Sequence, residues 1–395
     1  MRLSFDRTQL RELAIVAAPA ALIVAGAFWL TAQFMRPAPP ASFKITTGGE
    51  TGAYYAFAER YKEIVERSGI AVEVEASKGS VENLARLKDP ASGFSAGFIQ
   101  GGIVEPADGE AIISLGRMFY EPVWIFHVVP GGLAGLQELK GLRLAIGPER
   151  SGTRPLALKL LAANGIGEHQ ALLREESGRK ALEALIAGEV DAAFFVSAPE
   201  APLIQEMLAN ANLQLLDNPQ AEAYTRRLPF LARLTLPKGA IDLVREEPPS
   251  DLELVATTAA LVVRRDTHPA LADLLTQAAL EVHGRAGLFN RAGEFPQASD
   301  PELPLSEDAR RIYGAGAPFL QRYLPFWLAN FAERAFIMLV PILTILLPMF
   351  QVAPWLYEMR VRARILYWYG QLTKAEKVLG EIGAATGLED RKSVV

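Results

Sequence analysis

Two long uncharged apolar segments, one near each end of the chain, constrain this sequence more than any other feature. Neither 13–35 nor 335–357 contains Asp, Glu, Lys or Arg. As a helix, each segment of about 20 residues is long enough to cross the roughly 30 Å hydrocarbon core of a bilayer. Arginines lie outside both segments, within 1–12 and within 358–395. By the positive-inside rule, we expect both chain ends to be cytoplasmic and the intervening body to lie on the other side of the membrane.

Each apolar segment has an alternative interpretation. The first could be a cleaved signal peptide, but its apolar run exceeds the usual core of about 7–15 residues and no small-x-small cleavage site precedes the linker Arg36–Pro40. The second contains Pro341, Pro348 and Pro354, which would break a soluble helix but are tolerated in membrane helices. A retained anchor and a kinked membrane span are therefore favoured over a signal peptide and a buried core helix.

The composition is consistent with this arrangement and excludes several classes of protein. The chain has 395 residues, of which 50% are hydrophobic, and its mean hydropathy is +0.15. The body between the two apolar segments has about 300 residues, enough for two domains or one large domain. The absence of cysteine excludes disulfides and thiolate chemistry. A net charge of −5 provides no basic patch of the kind that nucleic-acid binding requires.

Between the apolar segments, short β-type runs alternate with helical ones, which is typical of an α/β fold with largely parallel strands. The predicted strands are 42–47, 71–76, 95–100, 142–146 and 191–195, and the predicted helices are 53–67, 81–87, 154–164, 178–187 and 201–208. Two continuous apolar runs, Val123–Val129 and Leu252–Val263, are predicted to connect two lobes. We expect residues 41–128 with 250–324 to form one lobe, residues 129–249 to form the other, and a cleft to lie between them.

Glycine-rich turns follow several of the predicted strands. Thr47–Gly52 follows the first strand, Ser77–Ser80 the second, and Gly147–Thr153 a strand of the other lobe. Backbone N–H groups at such helix starts, together with the helix dipole, favour an anion. We therefore expect the turns to hold a carboxylate from both sides. Ser80 is expected to cap its helix, and Gly49 to provide close approach or a positive φ.

These turns also carry a resemblance to a known family. The segments Ile45–Tyr55, Glu75–Leu84, Phe98–Gln100, Gly147–Thr153 and Phe194–Pro199 are similar to the TAXI solute-binding proteins of TRAP transporters, within a similarity that runs from about Phe43 to Leu324. The segment Phe319–Ala329 resembles a membrane-anchored subgroup of that family. At the position after Gln100, where the family has Asp, this chain has Gly101.

The resemblance implies a type II periplasmic-binding fold, in which two α/β lobes close on a small organic acid or an amino acid such as glutamate. It implies TRAP membrane subunits and the bacterial inner membrane as partners, a body in the periplasm, and no cofactor or metal. The ligand-binding residues that it implies are Gly49, Thr51, Tyr54, Tyr55, Ser77, Ser80, Asn83, Gln100, Ser151, Thr153 and Ser197.

Simpler roles remain open for some of these residues. One of Tyr54 and Tyr55 could be a core aromatic residue, and Asn83 and Gln100 could be buried amides whose hydrogen bonds are satisfied within the fold. Arg154 could pair with a carboxylate or simply be solvated.

The sequence also bears on two other classes of function, an enzyme and a sensor or assembly subunit. Ser177-Gly178-Arg179-Lys180 matches the S-x-x-K spacing of a nucleophile, but the partner motifs are missing, so Ser177 is better explained as a helix N-cap. The four histidines lie far apart, and His127 is expected to be a satisfied core residue. We therefore expect no enzyme. A sensor or assembly subunit is the alternative function, with the tail Arg360–Leu379 lying on the inner leaflet.

Overall fold

The computed structural model describes residues 39–316 and 319–386, together with Leu22, Ala25, Gly26 and Trp29. The chain divides into two compact units. One unit, called the body here, comprises residues 38–330, and the other comprises residues 1–37 and 331–395.

In chain order, the strands and helices are β1 (Ser42–Thr46), α1 (Ala53–Glu66), β2 (Ala71–Glu75), α2 (Ser80–Lys88), β3 (Phe94–Gln100), β4 (Ile112–His127), β5 (Arg143–Ala145), α3 (Thr153–Ala163), β6 (Leu172–Arg174), α4 (Gly178–Ile186), β7 (Ala192–Val196), α5 (Pro202–Leu208), β8 (Gln214–Leu215), α6 (Ala221–Arg227), β9 (Ala232–Leu236), β10 (Leu252–Arg264), α7 (Pro269–His283), α8 (Glu307–Ala315) and α9 (Phe326–Thr386).

The body is an α/β structure built on a mixed sheet, as the alternating sequence pattern predicted. The strand order is β2-β1-β3-β10-β4-β7-β5-β6, with β9 on β10 and β8 on β4. Pairing is parallel where β1 meets β2 and β3, and where β5 meets β6 and β7. We call β1–β3 with α1, α2, α7 and α8 the first half of the body, and β5–β8 with α3–α6 the second half.

Strands β4 and β10 are antiparallel neighbours at the centre of the sheet, between the two halves. The predicted run Val123–Val129 covers only the second part of β4, which already begins at Ile112. Pro122, which is opposite Ala256 in the β4–β10 pairing, lies within this strand. Beside these two strands, the carboxyl end of β3 contacts the turn after β5, where Gln100 bonds to Gly152.

Helix α1 shows how the sequence pattern forms the core beside the site. Its buried residues Tyr54, Phe57, Tyr61 and Val65 recur at helical spacing and cover one face. Tyr61 is fully buried, and its ring lies 5.6 Å from that of Phe98 on β3. Burial of each such side chain contributes on the order of 2–3 kcal/mol, which fixes α1 against the sheet.

The structure leaves the predicted membrane segments unsupported. Within the described residues, we find no helix that combines the length and the apolar character needed to cross a membrane. The first predicted span, 13–35, lies almost wholly outside the described residues, and the second, 335–357, falls within α9.

Two smaller expectations also need correction. His127 is buried as predicted, but its Nδ1 has no hydrogen-bond partner among the described residues, so the expectation of a satisfied histidine was wrong. Ser177 occupies the N-cap position of α4, yet its side chain makes no capping hydrogen bond.

Candidate ligand-binding site

The glycine-rich turns of the first half lie side by side at the carboxyl ends of β1 and β2. The amide of Thr47 donates to the carbonyl of Glu75 over 3.1 Å, and the amide of Ser77 donates to the carbonyl of Gly48 over the same distance. These two bonds follow from the parallel pairing of β1 with β2, which brings both strand ends to one edge. The sequence prediction that these turns cluster is thus consistent with the observed geometry.

The turn after β5 in the second half contacts the turns of the first half directly. The side-chain amide of Gln100 donates to the carbonyl of Gly152 over 3.1 Å. The backbone amide of Glu82 donates to the carbonyl of Arg150 over 3.3 Å. The turn after β5 therefore contacts the carboxyl end of β3 and the first turn of α2 in this structure.

Glycines at two positions permit this contact. A Cβ placed on Gly152 would lie 2.6 Å from Oε1 of Gln100 and 3.2 Å from Cβ of Ser80. Gly79 has a φ of +124°, and a Cβ there would lie 3.2 Å from the amide nitrogen of Gly152. Larger residues would separate the turns. Gly49, by contrast, has no atom within 4 Å of the Cβ position and no positive φ, so the expected positive φ was wrong, while close approach of a ligand at Gly49 stays a prediction.

Ser80, Tyr54 and Glu121 form a buried polar chain beneath the turns. The hydroxyl of Tyr54 donates to Oε2 of Glu121 over 2.7 Å and lies 3.3 Å from Oγ of Ser80. Oγ of Ser80 in turn accepts from the backbone amide of Gln100 over 2.9 Å. The predicted capping role of Ser80 was wrong, because α2 has Gly79 as its N-cap and Ser80 bonds to α1 and β3 instead.

Tyr54 and Tyr55 differ in burial, in agreement with the alternative that one of the two is a core aromatic residue. Tyr54 is buried and stacks on Phe98 with ring centroids 5.3 Å apart, whereas Tyr55 is half-buried. Tyr54 therefore combines a core ring with a hydroxyl that points into the polar chain. Burial, together with the charge of Glu121, raises the pKa of Tyr54 well above its usual value, so it stays a hydrogen-bond donor.

Glu121 is the one residue of this cluster that the sequence reasoning missed. Its side chain lies on β4 and is only 2% exposed. Burial raises the pKa of its carboxyl group to about 8, and the hydrogen bond from Tyr54 is the opposing influence. A glutamate inside an otherwise apolar strand was the available signal, but the strand was predicted to begin only at Val123.

Asn83 has a structural role in this arrangement. Its Oδ1 lies 2.7 Å from the hydroxyls of Thr46 and Ser77, and its Nδ2 donates to the carbonyls of Thr47 and Phe98. These four contacts use the full hydrogen-bonding capacity of the amide. Asn83 therefore joins β1, β3 and the turns, and the satisfied-amide alternative describes it well.

The remaining predicted site residues lie around the turns. Gly49 and Thr51 are exposed, and Thr153 and Ser197 are half-buried. Ser151 is buried and bonds within its own turn, to the carbonyl of Pro148 over 2.7 Å. Arg154 donates to the carbonyl of Gly147 over 3.1 Å, so in this structure its guanidinium bonds to the turn as well.

Three helices begin at this place with a glycine at the N-cap, and in the described structure a side chain, Oγ of Ser151, accepts from a first-turn amide of the third, that of Arg154, over 3.2 Å. They are α1, α2 and α3, whose N-cap residues are Gly52, Gly79 and Gly152. The dipoles of these helices make the electrostatic potential positive at their starts, although the amide of Glu82 in α2 already donates to the carbonyl of Arg150. The site thus presents donors for an anion beside an acceptor for a cation.

A separate cavity of about 200 Å³ lies next to this cluster, lined by Phe119 of the central strand β4, His283 of α7 and Pro199, which follows β7. His283 stacks on Phe119 with centroids 5.3 Å apart. Burial lowers the pKa of His283 to about 3, with a smaller contribution from Arg60, so its imidazole is neutral. Its Nε2 is buried and has no partner among the described residues.

Several solved structures are similar to this chain. One is the alkanesulfonate-binding protein SsuA from Xanthomonas axonopodis pv. citri bound to MOPS, at 19% identity and a TM-score of 0.41, covering 64% of this chain and 78% of that chain. The periplasmic aliphatic sulphonate binding protein SsuA from Escherichia coli is similar at 13% identity and a TM-score of 0.41, over 82% and 94% of the two chains. An ancestral arginine-binding protein bound to arginine has 13% identity and a TM-score of 0.41, over 62% and 93%.

A family model also matches the chain. It covers residues 45–287, which is more than half of the 395 residues and includes the turns, the buried polar chain and both central strands. The protein therefore belongs to the NMT1-like family.

Proposed function

We propose that this protein is a solute-binding protein that captures a small organic acid or an amino acid, of the glutamate or dicarboxylate kind, for TRAP-type transport. The observation that carries the proposal is the contact between the two halves of the body, in which Gln100 bonds to Gly152. A ligand that binds both sides of such a contact stabilises the closed arrangement, because it interacts with both halves only when they are together.

The helix starts support a carboxylate as the bound group. Helices α1, α2 and α3 all begin at glycine N-caps beside the contact, so their dipoles favour an anion there. No lysine or arginine occurs in the turn Thr47–Gly52. The proposed anion is therefore held by backbone amides and by the hydroxyls of Ser80 and Tyr54, assisted by the helix dipoles.

The proposed movement divides the body into 41–128 with 250–324 and 129–249. The central strands β4 and β10 join these two parts, and their pairing continues through the sheet. We propose that the parts turn about these strands, so that the turns after β1, β2 and β5 approach one another without covalent chemistry.

The test is calorimetry of the purified full-length protein with a panel of dicarboxylates and amino acids, and with their neutral amides as controls. We expect at least one carboxylate to bind, its amide to bind at least about tenfold more weakly because one charge-assisted hydrogen bond is lost, and the bound ligand to be recovered chemically unchanged. Scattering should show compaction on binding. Chemical conversion of the ligand, or no binding by any member of the panel, would contradict the proposal.

Membrane attachment and a periplasmic body stay predictions from the sequence pattern alone. Their support is the pair of uncharged segments with arginines on the outer flanks. A reporter fused after Val395 that is active only in the cytoplasm should give a signal. A signal from a reporter that requires the periplasm would exclude the predicted topology.

A further inference from the structure

Glu121 is a buried carboxyl group whose partners within the chain do not neutralise it. Its side chain is 2% exposed, and among the described residues it accepts a hydrogen bond from the hydroxyl of Tyr54, over 2.7 Å. A hydroxyl satisfies one acceptor position but supplies no positive charge. Removing an unpaired carboxylate from water is costly, so a fold keeps one at a buried position only at the expense of stability.

The other buried carboxylates in the described part of the chain all have a basic partner. Asp108 is paired with Lys88, and Asp273 is paired with Arg311 over 2.9 Å. No such ion pair includes Glu121 among the described residues. The difference shows that this fold pairs its buried acids elsewhere, and that Glu121 lacks the cation that the others have.

The position of Glu121 connects this unpaired acid to the contact between the halves. Tyr54 links it to Ser80, Ser80 accepts from the amide of Gln100, and the side chain of Gln100 reaches Gly152. The acid is therefore linked through Tyr54, the second residue of α1, to Ser80, the first residue of α2. An anion-binding region and an acidic group are thus separated by only a few hydrogen-bonded side chains.

We infer that the carboxylate of Glu121 binds the ammonium group of the ligand, so that the ligand is an α-amino acid rather than a dicarboxylate without an amino group. This inference rests on the proposed function, because it assigns the second charged group of the same ligand. The amides at the helix starts hold the ligand carboxylate, and Glu121 with Tyr54 holds the ammonium group. A zwitterion meets both requirements of the site.

The experiment compares amino acids with acids of the same skeleton that lack the amino group. The probes are L-glutamate against glutarate, L-leucine against 4-methylpentanoate, L-alanine against propionate and L-phenylalanine against 3-phenylpropionate. We expect the full-length protein to bind at least one amino acid at least about thirtyfold more tightly than its partner acid, as is typical of a desolvated charge pair.

The variant Glu121→Gln keeps the size of the side chain and an oxygen that accepts from Tyr54. We expect it to lose most of the preference for the amino acid while its affinity for the partner acid stays within about threefold of the wild type. Glu63→Gln, which removes a charge from an exposed position on α1, is the control and should change neither affinity.

A measurement on the unaltered protein keeps the inference testable if Glu121→Gln does not fold. Because burial raises the pKa of Glu121 to about 8, binding an ammonium group at pH 7 should release close to one proton. Calorimetry in two buffers of different ionisation enthalpy measures this release. Tyr54 is the titratable group that contacts Glu121, and its raised pKa keeps it protonated at this pH.

The outcomes separate the inference from the proposed function. Tighter binding of the acids that lack an amino group, an unchanged preference in Glu121→Gln, or amino-acid binding without proton release overturns the inference and leaves the proposed function standing. Binding of no probe overturns both.

Discussion

The buried carboxyl group of Glu121 predicts an unusual dependence of stability on pH. Burial raises its pKa from 4.5 to about 8 in the folded protein. The folded state therefore holds this proton more tightly than the unfolded state does. The favourable contribution is complete below the unfolded pKa and is lost as the pH rises from about 4.5 to about 8.

The magnitude follows from the size of the pKa difference. Each unit of pKa difference corresponds to about 1.4 kcal/mol, so the full effect is on the order of 4–5 kcal/mol. Between pH 5 and pH 7, the unfolded chain loses this proton while the folded chain keeps it. The wild type should lose about 2–3 kcal/mol of unfolding free energy over that interval through this one group.

Glu121→Gln removes the titration without changing the shape of the side chain. Urea unfolding of the wild type and the variant at pH 5, 6 and 7 should show a stability difference that grows in favour of the variant by about 2–3 kcal/mol. All other titrating groups are common to both proteins and cancel in the comparison. Glu63→Gln serves as the control and should show no such trend. A difference between Glu121→Gln and the wild type that stays constant within about 0.5 kcal/mol across this range would refute the reasoning.

Three further predictions concern the contact between the halves and the core beside it. Gly152→Ala places a methyl group 2.6 Å from Oε1 of Gln100, so ligand affinity should fall by at least about tenfold with little change in melting temperature. The matched control is Gly167→Ala, at an exposed position. Equal ligand affinities in the two variants would contradict the packing argument. Asn83→Ala breaks the four hydrogen bonds of a buried amide and should lower the unfolding free energy in urea by about 3 kcal/mol or more. A loss below about 1 kcal/mol would show that these bonds are not needed for stability. His283→Phe replaces a neutral imidazole whose Nε2 has no partner among the described residues, so stability should be unchanged or higher, and a loss above about 2 kcal/mol would show that the nitrogen has an unrecognised role.

Most of the fold could be predicted because its elements follow simple periodicities. The helix α1 and the strands β1–β3 were predicted within about two residues, since apolar residues recur there at helical or strand spacing between turn residues. Strand β4 was predicted to begin at Val123, whereas it begins at Ile112. Glu121 and Pro122 interrupt the apolar pattern locally, and only the pairing with β10 shows that the strand continues through them.

The candidate site was harder to predict from the sequence than the fold, because its hydrogen bonds join residues that are far apart along the chain. Asn83 was grouped with ligand residues, but its partners include Thr46 and Phe98, which are distant along the chain. Ser80 was assigned to its own helix, although it bonds to Gln100 and Tyr54. The local sequence pattern predicts which element carries a polar side chain, but the tertiary fold determines which partner that side chain bonds to.

The place of β10 in the sheet has a consequence for how the chain acquires its structure during synthesis. This strand lies between β3 and β4, yet it is made about 125 residues after β4 has ended. At ribosomal rates of about 5–20 residues per second, the facing edges of β3 and β4 have no native partner for roughly 6–25 s. Unpaired strand edges are sites of aggregation. The sheet of the first half, β1–β3, is thus translated first but gains its partner β10 late, so we expect the edges of β3 and β4 to be exposed until Leu252–Arg264 has emerged.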